Sequence, residues 1–348
     1  MNNAIPVQNV YYLFLYAWNK FQEGKSLNLN LEESPDIPNL FSNILTNSVK
    51  RLIKRGLHKD YRTITKELKY IKGKINFPLS IKNNFEKSGK IVCELDELSI
   101  DCIPNKIIKR TLQYLLTNKE IESKTKQNIK PILKYLDDCN LTESVSSYFG
   151  QLRLTNNNYY YKFALNLCSL INKIQLPTND KGTFLFKDVL EDETIMSDIF
   201  ETFLRNFYTI EQNQYEVSRD KLKWDISSQG GDIGLVPVNI TDITLRSSNK
   251  TIVIDAKYYK DPLVLYRGKK KIRQEHLRQI TSYLDNLEKR GGPDSTAEGM
   301  LIYPEVKHQQ KLHETYTWKK HKVSIHSIDL NQPWQKIHRD LFGLVGLM

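Results

Sequence analysis

Cysteine is scarce in this sequence, and the spacing of the cysteines is not that of a metal site. The four cysteines, Cys93, Cys102, Cys139 and Cys168, include no Cys-x-x-Cys pair, so neither a zinc site nor a disulfide framework is expected. The longest early apolar run, Val10–Trp18, is far shorter than the roughly 20 residues that cross a bilayer. The N-terminus also lacks the basic segment and cleavage site of a signal peptide. We therefore expect a cytoplasmic protein with reduced thiols and no membrane partner.

A nucleotide-binding loop is also missing. No Gly-x-x-x-x-Gly-Lys-[Ser/Thr] occurs, and Ser88-Gly-Lys90 lacks the first glycine and is followed by Ile91. Without the glycine-rich backbone that surrounds phosphates and the hydroxyl that binds Mg²⁺, the motif does not hold a nucleotide. We therefore expect that this chain alone binds no nucleotide and does not hydrolyse GTP.

Positive charge, by contrast, is abundant and unevenly placed. The 348 residues carry a net charge of +11, and residues 50–90 contain thirteen Lys or Arg but only three Asp or Glu. Tyr61, Tyr70, Phe77 and Phe85 interleave with these cations. A concentrated positive field of this kind indicates a polyanion or an acidic protein surface as partner, and aromatic interleaving favours nucleic acid. The alternative is a solvated basic face.

Two carboxylates and a lysine are expected to converge in one β-hairpin. Ile240–Leu245 and Thr251–Tyr258 have the composition of strands, and a polar Ser-Ser-Asn-Lys turn joins them. Asp255 and Lys257 are two residues apart and therefore project from the same face, and Asp242 comes alongside them. A carboxylate that ends a run of β-branched residues is costly unless it is paired or bound to a metal. The sequence therefore predicts a catalytic group of these three side chains.

The two carboxylates suit a hard divalent cation. Asp242 and Asp255 would supply oxygen ligands to Mg²⁺, with Mn²⁺ as an alternative, and the Ala256 carbonyl is a third candidate ligand. Such a metal polarises a phosphoryl oxygen and activates a bound water. Lys257 is expected to orient that water or to stabilise developing charge. The alternative is an ordinary surface ion pair, worth about 0–1 kcal/mol.

Two predicted helices carry supporting residues. Ile195–Tyr208 has apolar residues at helical spacing, and Glu201 lies at the edge of that apolar face. Glu201 is a candidate metal ligand, directly or through water, and the alternative is a solvated carboxylate. In His276–Leu287, Gln279 and Tyr283 are four residues apart and share a helix face. The alternative there is a polar helix edge with a packed tyrosine.

A basic loop lies between the Asp-x-Lys strand and the Gln279 helix. Its cations are Arg267, Lys269, Lys270, Lys271 and Arg273. We predict that they bind DNA phosphates, which fixes the position of the DNA without reading its sequence. The alternative is a flexible solvated loop.

The order of these elements resembles that of the PD-(D/E)xK nuclease superfamily, in the variant with a Gln-x-x-x-Tyr helix, although Thr241 stands where proline is usual. More closely, the chain resembles the McrC family. The segments that carry this resemblance are Ile5-Pro-Val-Gln-Asn-Val-Tyr-Tyr-Leu-Phe-Leu-Tyr-Ala-Trp18, Ile71-Lys-Gly-Lys-Ile-Asn-Phe77, Asn105-Lys-Ile-Ile-Lys109, Leu222-Lys-Trp-Asp225, Thr241-Asp-Ile-Thr-Leu245 and Ile254-Asp-Ala-Lys-Tyr-Tyr259.

This resemblance implies the endonuclease subunit of a methylation-dependent restriction complex. It implies hydrolysis of double-stranded methylated DNA, with Asp242, Asp255 and Lys257 as the catalytic triad. It also implies a partner, a hexameric GTP-driven AAA+ motor of the McrB type, which activates the chain and is stimulated by it. Two alternatives stay open: an autonomous PD-(D/E)xK nuclease, and a non-catalytic activator of a GTPase motor.

Two domains are expected. Residues 1–178 would form a mostly helical α+β domain that binds the motor, with a small β-rich projection at about 60–98. Residues 179–348 would form an α/β domain of the PD-(D/E)xK restriction-endonuclease-like type. The boundary is placed near the turn-rich stretch 177–182, and the alternative is a boundary before Tyr159. The helices of the first domain are predicted at residues 8–22, 40–55, 106–116, 120–137 and 159–174. Gly56 is placed to end the second of these helices, and Pro131 is expected to kink or split the fourth. Short β-like pieces are expected around residues 71–77 and 90–95.

Overall fold

The computed structural model describes residues 5–18, 36–83, 89–156, 158–177, 184–186, 189–224, 231–259, 261–305 and 311–347. The chain forms two compact units. One consists of Met1–Ile37 with Lys187–Met348, and the other of Pro38–Phe186. We call them the sheet unit and the helical unit, respectively. These units depart from the predicted division at residue 178, because the first 37 residues belong with the C-terminal half.

The elements are numbered along the chain. The α-helices of the described residues are α1 (Val7–Ala17), α2 (Ile37–Arg55), α3 (Phe77–Lys82), α4 (Ile103–Thr117), α5 (Ser123–Lys134), α6 (Val145–Gln151), α7 (Lys162–Lys173), α8 (Glu193–Glu211), α9 (Gln274–Glu288) and α10 (Trp334–Leu344). The strands are β1 (Asp60–Leu68), β2 (Lys74–Ile75), β3 (Ile91–Ser99), β4 (Gln175–Pro177), β5 (Phe184–Phe186), β6 (Glu216–Ser218), β7 (Lys221–Leu222), β8 (Asn239–Ile240), β9 (Ile243–Arg246), β10 (Thr251–Ala256), β11 (Leu263–Tyr266), β12 (Lys269–Ile272), β13 (Glu298–Glu305), β14 (His313–Trp318) and β15 (His321–Asp329).

Contacts made by α1 explain why the N-terminus joins the sheet unit. The Asn9 side-chain amide donates hydrogen bonds to the carbonyls of Leu330 and Gln332, both at 2.8 Å. The Tyr16 hydroxyl donates to Glu211 at the end of α8 at 2.6 Å. These bonds bridge more than 190 positions of sequence, and no local pattern shows which core an apolar helix will join. The predicted helix 8–22 ends at Ala17 as far as the structure describes it, and residues 19–22 lie outside the described residues.

The helical unit carries a three-stranded antiparallel sheet in the order β1-β3-β2. We call residues 60–99 the projection. The prediction of short β-like pieces near residues 71–77 and 90–95 was incomplete, because the longest pairing joins β1 to β3 along nine residues. Most of β1 is exposed on both faces, so it lacks the apolar alternation that identifies a strand. Polar cross-strand pairs such as Thr63 with Asp96, at 2.6 Å, stabilise it instead.

Asn105, at the start of α4, connects the two ends of the projection. Its side-chain amide donates to the carbonyl of His58, before β1, at 3.0 Å, and to that of Ile100, after β3, at 2.8 Å. The Tyr161 hydroxyl donates to the Asn105 side-chain oxygen at 2.8 Å. One buried residue therefore fixes where the projection leaves the helices, which is a structural role for the Asn105–Lys109 segment.

Two further predictions concern helix ends. Gly56 adopts a φ of 97° immediately after α2, so the predicted helix end there is confirmed. Pro131 was expected to kink or split its helix, but α5 is not split and continues through Pro131 to Lys134. No helix in the described part of the chain is long and apolar enough to cross a membrane.

The sheet unit is built on a six-stranded mixed sheet in the order β14-β15-β13-β10-β9-β6. Strands β10, β13 and β15 are parallel, and every residue of β10 is buried. Val253 packs in one cluster with Ile280 and Leu284 of α9, whereas the Tyr258 ring contacts Phe200 of α8. Since strand side chains alternate between faces, α8 and α9 cover opposite faces of the sheet. The predicted α/β character of this region is confirmed.

Candidate active site

Asp255 is a buried carboxylate at the end of β10, and its side chain is 0 % exposed. In the part of the chain that the structure describes, neither of its oxygens accepts a hydrogen bond of regular geometry. The Lys257 ammonium lies 2.8 Å from Oδ2 and forms an ion pair with it. A buried ionised carboxylate is costly unless it is well compensated. Asp255 therefore has oxygen lone pairs free to bind a cation.

Asp242 lies directly beside Asp255, as the sequence predicted. Ile243 pairs with Ile254, and continuing this antiparallel register places Asp242 opposite Asp255. Asp242 Oδ2 accepts a hydrogen bond of 3.0 Å from the Ala256 backbone N–H. Because the N–H and C=O of a strand residue point to the same side, the Ala256 carbonyl also faces the side of Asp242. Two carboxylates and one carbonyl thus lie at one end of β9 and β10.

The predicted first strand, residues 240–245, is interrupted. Residues 239–240 form β8, which pairs with β7, and β9 begins only at Ile243. Thr241 causes this break: its N–H donates to the Asp220 carbonyl at 3.0 Å, and its hydroxyl accepts from the Asp220 N–H at 2.8 Å. Thr241 is fully buried and also contacts the Thr244 hydroxyl at 2.9 Å. The threonine in the usual place of proline thus holds the backbone before Asp242.

The pKa values of Asp242 and Asp255 show that the two carboxylates are buried close to each other. Burial raises the pKa of Asp242 to about 7, and the charges of Asp255 and Glu201 add to this effect. Burial also raises the pKa of Asp255, although Lys257 opposes the shift. For Lys257, burial lowers the pKa, but the charges of Asp255 and Asp242 outweigh burial and hold the pKa above its usual value. One ammonium thus faces two repelling carboxylates, an arrangement that a divalent cation would relieve.

Gln279 and Tyr283 of α9 share a helix face, as their spacing predicted, and Gln279 contacts Lys257. The Lys257 ammonium donates to Gln279 Oε1 at 2.9 Å, and Gln279 Nε2 donates to the Tyr283 hydroxyl at 2.7 Å. That hydroxyl donates to the Ile240 carbonyl at 2.9 Å. A continuous series of hydrogen bonds therefore connects the lysine to the backbone that precedes Asp242.

Glu201 is close to the carboxylates but has other partners. It accepts a hydrogen bond from Arg205 at 2.8 Å and lies 3.4 Å from Arg219. Its charge raises the pKa of both aspartates. Among the described residues, no three His, Cys, Asp or Glu side chains are grouped closely enough to hold a metal ion by themselves. The role of Glu201 as a metal ligand stays a prediction.

The donor set at Asp242 and Asp255 nevertheless fits Mg²⁺ or Mn²⁺. Mg²⁺ is usually bound through one or two carboxylates and keeps several waters, so it does not need three acidic side chains. Both Asp255 oxygens are buried without a regular hydrogen bond from the described residues, which supports this fit. The ligands would be Asp242, Asp255 and the Ala256 carbonyl.

The predicted basic loop is a β-hairpin rather than a loop. Strands β11 and β12 pair antiparallel, and the two-residue turn between them has a φ of 48° at Arg267 and 76° at Gly268. Positive φ at both central residues is the geometry of a type I′ turn, which matches the twist of paired strands. The hairpin carries Arg267 and Lys269–Lys271 outside the carboxylate cluster. Arg273, at the start of α9, lies 4.7 Å from the centroid of the Tyr259 ring.

Three residues near the site were not predicted. His276 Nδ1 is 2.7 Å from the Tyr303 hydroxyl, and its ring lies 5.0 Å from that of Tyr259. Burial lowers the pKa of His276 to about 4, and the nearby Lys257 charge contributes. His276 precedes Gln279 by three residues, so helical spacing could have identified it. Tyr303 is on β13, and only the sheet order brings it to this site.

The Leu222–Asp225 segment is only partly described. Leu222 belongs to the core cluster beneath α9, and Trp224 donates through its ring N–H to the Pro237 carbonyl at 2.7 Å. Asp225 lies outside the described residues.

These features agree with comparisons to known proteins. The chain is a component of a restriction system. It belongs to the family described as McrBC 5-methylcytosine restriction system component, whose model matches residues 8–304. It is 32% identical over 346 residues to the type IV methyl-directed restriction enzyme EcoKMcrBC of Escherichia coli (strain K12), covering 98% of this chain and 97% of that protein. The family assignment made from the sequence is thereby confirmed.

A solved structure has a similar fold. It is described as a refined half-complex from a tetradecameric assembly of Thermococcus gammatolerans McrB AAA+ hexamers with bound McrC. The match has a TM-score of 0.59 at 16% identity and covers 99% of this chain and 76% of that chain. At this identity the match establishes the fold alone.

Proposed function

We propose that this chain is the endonuclease subunit of a methylation-dependent, GTP-driven restriction complex, and that it hydrolyses phosphodiester bonds of double-stranded methylated DNA. The observation that carries the proposal is the environment of Asp255. Its carboxylate is buried, lacks a regular hydrogen bond among the described residues, and lies beside Asp242 and Lys257. Purely structural carboxylates are normally fully satisfied, and functional sites are where such crowding is retained.

Each residue then has a distinct task. Asp242 and Asp255 would hold Mg²⁺ or Mn²⁺ together with the Ala256 carbonyl, and the bound metal would polarise a phosphoryl oxygen and activate water. The Lys257 ammonium, fixed by Gln279 and Asp255, is placed to orient the attacking water or to stabilise negative charge on the phosphate. Tyr283 holds Gln279 in place through its hydroxyl. These are positioning and electrostatic effects, which dominate the hydrolysis of phosphodiesters.

We also propose that the projection of the helical unit docks on an AAA+ GTPase motor of the McrB type. The motor would be a hexameric ring. The projection displays large exposed apolar side chains, which are Tyr61, Tyr70, Ile71, Phe77, Leu79, Ile81 and Leu98. Apolar groups displayed together on a surface mark interaction sites, and the surrounding cations suit an acidic partner surface. In this proposal the motor supplies nucleotide binding and base recognition, and the chain stimulates its GTPase activity.

The test is cleavage of methylated and unmethylated plasmid with Mg²⁺, with and without the motor and GTP, using the parent chain and Asp255→Asn. We expect cutting only when motor, GTP, methylation and Asp255 are all present. Asp255→Asn should still bind the motor and stimulate GTP hydrolysis, because the projection is unchanged. Cutting by the chain alone would establish an autonomous nuclease instead. Stimulation of GTP hydrolysis without any Asp255-dependent cutting would establish a non-catalytic activator.

A further inference from the structure

The β11–β12 hairpin does not belong to the six-stranded sheet and forms a separate two-stranded element. Its base is anchored, because Leu263 belongs to the core cluster under α9 and its partner Ile272 packs against the same cluster. The end of the hairpin near the turn is exposed instead of packed against the core. Leu265 is 76 % exposed and Tyr266 is 58 % exposed. The hairpin therefore holds two large apolar side chains away from the core.

The apolar side chains are directly paired with cations. Leu265 lies opposite Lys270, and Tyr266 opposite Lys269. From residue 263 to residue 273 the sequence contains five Lys or Arg and no Asp or Glu. Cations on an exposed strand suit phosphates, but phosphate binding gives no reason to expose a leucine and a tyrosine beside them. A surface that offers both chemistries matches duplex DNA, where phosphates flank the apolar faces and edges of the bases.

The hairpin is tightly turned and is joined at both ends to elements of the candidate active site. Its type I′ turn has positive φ at Arg267 and Gly268. This two-residue turn matches the twist of the paired strands and joins them directly. Its first strand begins six positions after Lys257, and its second leads directly through Arg273 into the helix of Gln279. An element connected in this way would touch DNA a short distance from the bond that is cut.

We propose that this hairpin is a DNA wedge: its lysines and arginines bind the phosphates on either side of a groove, while Leu265 and Tyr266, which project from opposite faces of the hairpin, each contact a base on their own side and partly unstack the step between them. This inference rests on the proposed function, since it assumes DNA at the neighbouring site. Apolar wedges of this type distort duplexes in other DNA-binding proteins, where the unstacking is offset by closer contact. The same surface chemistry makes an acidic protein the competing occupant, and the experiment separates the two.

The experiment uses the full chain, without Mg²⁺ so that no cutting occurs. Its probes are a fluorescein-labelled duplex for affinity and a 2-aminopurine duplex for unstacking. The apolar variant is Leu265→Ser/Tyr266→Ser, and the charge variant is Lys269→Gln/Lys270→Gln. The matched control is Tyr316→Ser on β14, whose side chain is 50 % exposed in the same unit.

We expect the parent to bind duplex and to raise 2-aminopurine fluorescence. The apolar variant should bind about tenfold more weakly and lose the fluorescence rise, with an unchanged dependence of affinity on salt. The charge variant should bind more weakly and reduce the salt slope by about 2. The control should behave like the parent. Thermal melting of each variant confirms that the exposed substitutions leave the fold intact.

Equal affinity and equal fluorescence for the parent and the apolar variant would overturn the wedge. So would a parent that binds no duplex while the hairpin variants lose binding to the motor, which would assign the surface to a protein partner. The proposed function is judged separately, by Asp255-dependent cutting. If such cutting persists when the wedge is overturned, only the inference about the hairpin fails.

Discussion

The Lys257 ammonium donates a 2.9 Å hydrogen bond to the side-chain oxygen of Gln279. These residues are 22 positions apart: Lys257 directly follows β10, and Gln279 lies on α9. The bond keeps the lysine 15 % exposed beside Asp255 instead of extended into solvent. If the proposed function is correct, Gln279 is a positioning residue, which acts on the reaction through Lys257.

Gln279→Ala should slow DNA cleavage by about 10- to 100-fold, because small misplacements of catalytic groups have effects of that size. The loss should appear in the rate of cutting at saturating DNA and not in DNA affinity. A suitable measurement is single-turnover cleavage by the assembled complex. Asn286→Ala, on the same helix but bonded to the Ser282 carbonyl, is the control and should cut at the parental rate. Equal rates for parent and Gln279→Ala would contradict this role.

Asp255→Asn should stabilise the metal-free protein, because it removes the repulsion between two buried carboxylates while Lys257 stays compensated by the charge of Asp242. The same change should abolish stabilisation by metal. At a metal concentration of about 100 times Kd, binding adds roughly 2.7 kcal/mol to the free energy of unfolding of the parent. Thermal melting with and without Mn²⁺ or Mg²⁺ measures both effects. A metal-dependent rise in Tm that survives in Asp255→Asn would show that the metal binds elsewhere.

His326 predicts acid sensitivity of the sheet unit. It is 6 % exposed, and burial, His313 and Lys322 lower its pKa to about 4. Because the pKa in the unfolded chain is about 6.5, the unfolded state binds more protons below that pH. Neutral His326 therefore contributes fully to the free energy of unfolding above pH 6.5. This contribution, up to about 3 kcal/mol, is lost as the pH falls towards 4.

Urea unfolding at pH 7 and pH 5 tests this expectation. His326→Gln keeps a polar group beside His313 but cannot take up a proton, so its stability should decline less between the two pH values. An identical decline in the parent and the variant would mean that His326 does not carry the effect. His276, whose pKa is also lowered to about 4 by burial, should leave a residual decline in the variant.

Gly73→Ala should destabilise the projection. Gly73 has a φ of 73°, and a Cβ there would lie 2.3 Å from the Glu94 carbonyl oxygen, a collision with backbone that side-chain rotation cannot relieve. Gly89→Ala is the matched control, because Gly89 has a φ of 61° but no atom of the described residues lies within 4 Å of a Cβ at that position. Gly89→Ala therefore reports the cost of backbone strain alone, about 1–2 kcal/mol. Denaturant unfolding should show a clearly larger loss for Gly73→Ala, and equal losses would contradict the collision.

Asn105→Ala should loosen the base of the projection, because it leaves the Tyr161 hydroxyl and the carbonyls of His58 and Ile100 without this partner. Each buried polar group deprived of its hydrogen bond costs about 1–3 kcal/mol. Hydrogen exchange of the β1 and β3 amides should accelerate, while exchange in β10 and β13 stays unchanged. Acceleration in both regions would indicate general destabilisation instead.

Several features followed from the sequence because they depend on local geometry. The period of a strand puts Asp255 and Lys257 on one face, the hairpin register brings Asp242 opposite Asp255, and the helical period aligns Gln279 with Tyr283. These relationships need only backbone geometry over a few residues, and the structure contains each of them. Thus the carboxylate–lysine cluster and its supporting helix could be predicted from the sequence.

Other features were decided by tertiary packing. The sequence gives no signal that α1 packs with α8, that Tyr303 of β13 contacts His276, or that the Ile240 carbonyl accepts from Tyr283. The basic segment was interpreted as a loop because its lysines hide the strand pattern, yet Leu263 and Ile272 anchor it as a hairpin. Local spacing determines which side chains share a face, whereas long-range packing determines what that face contacts.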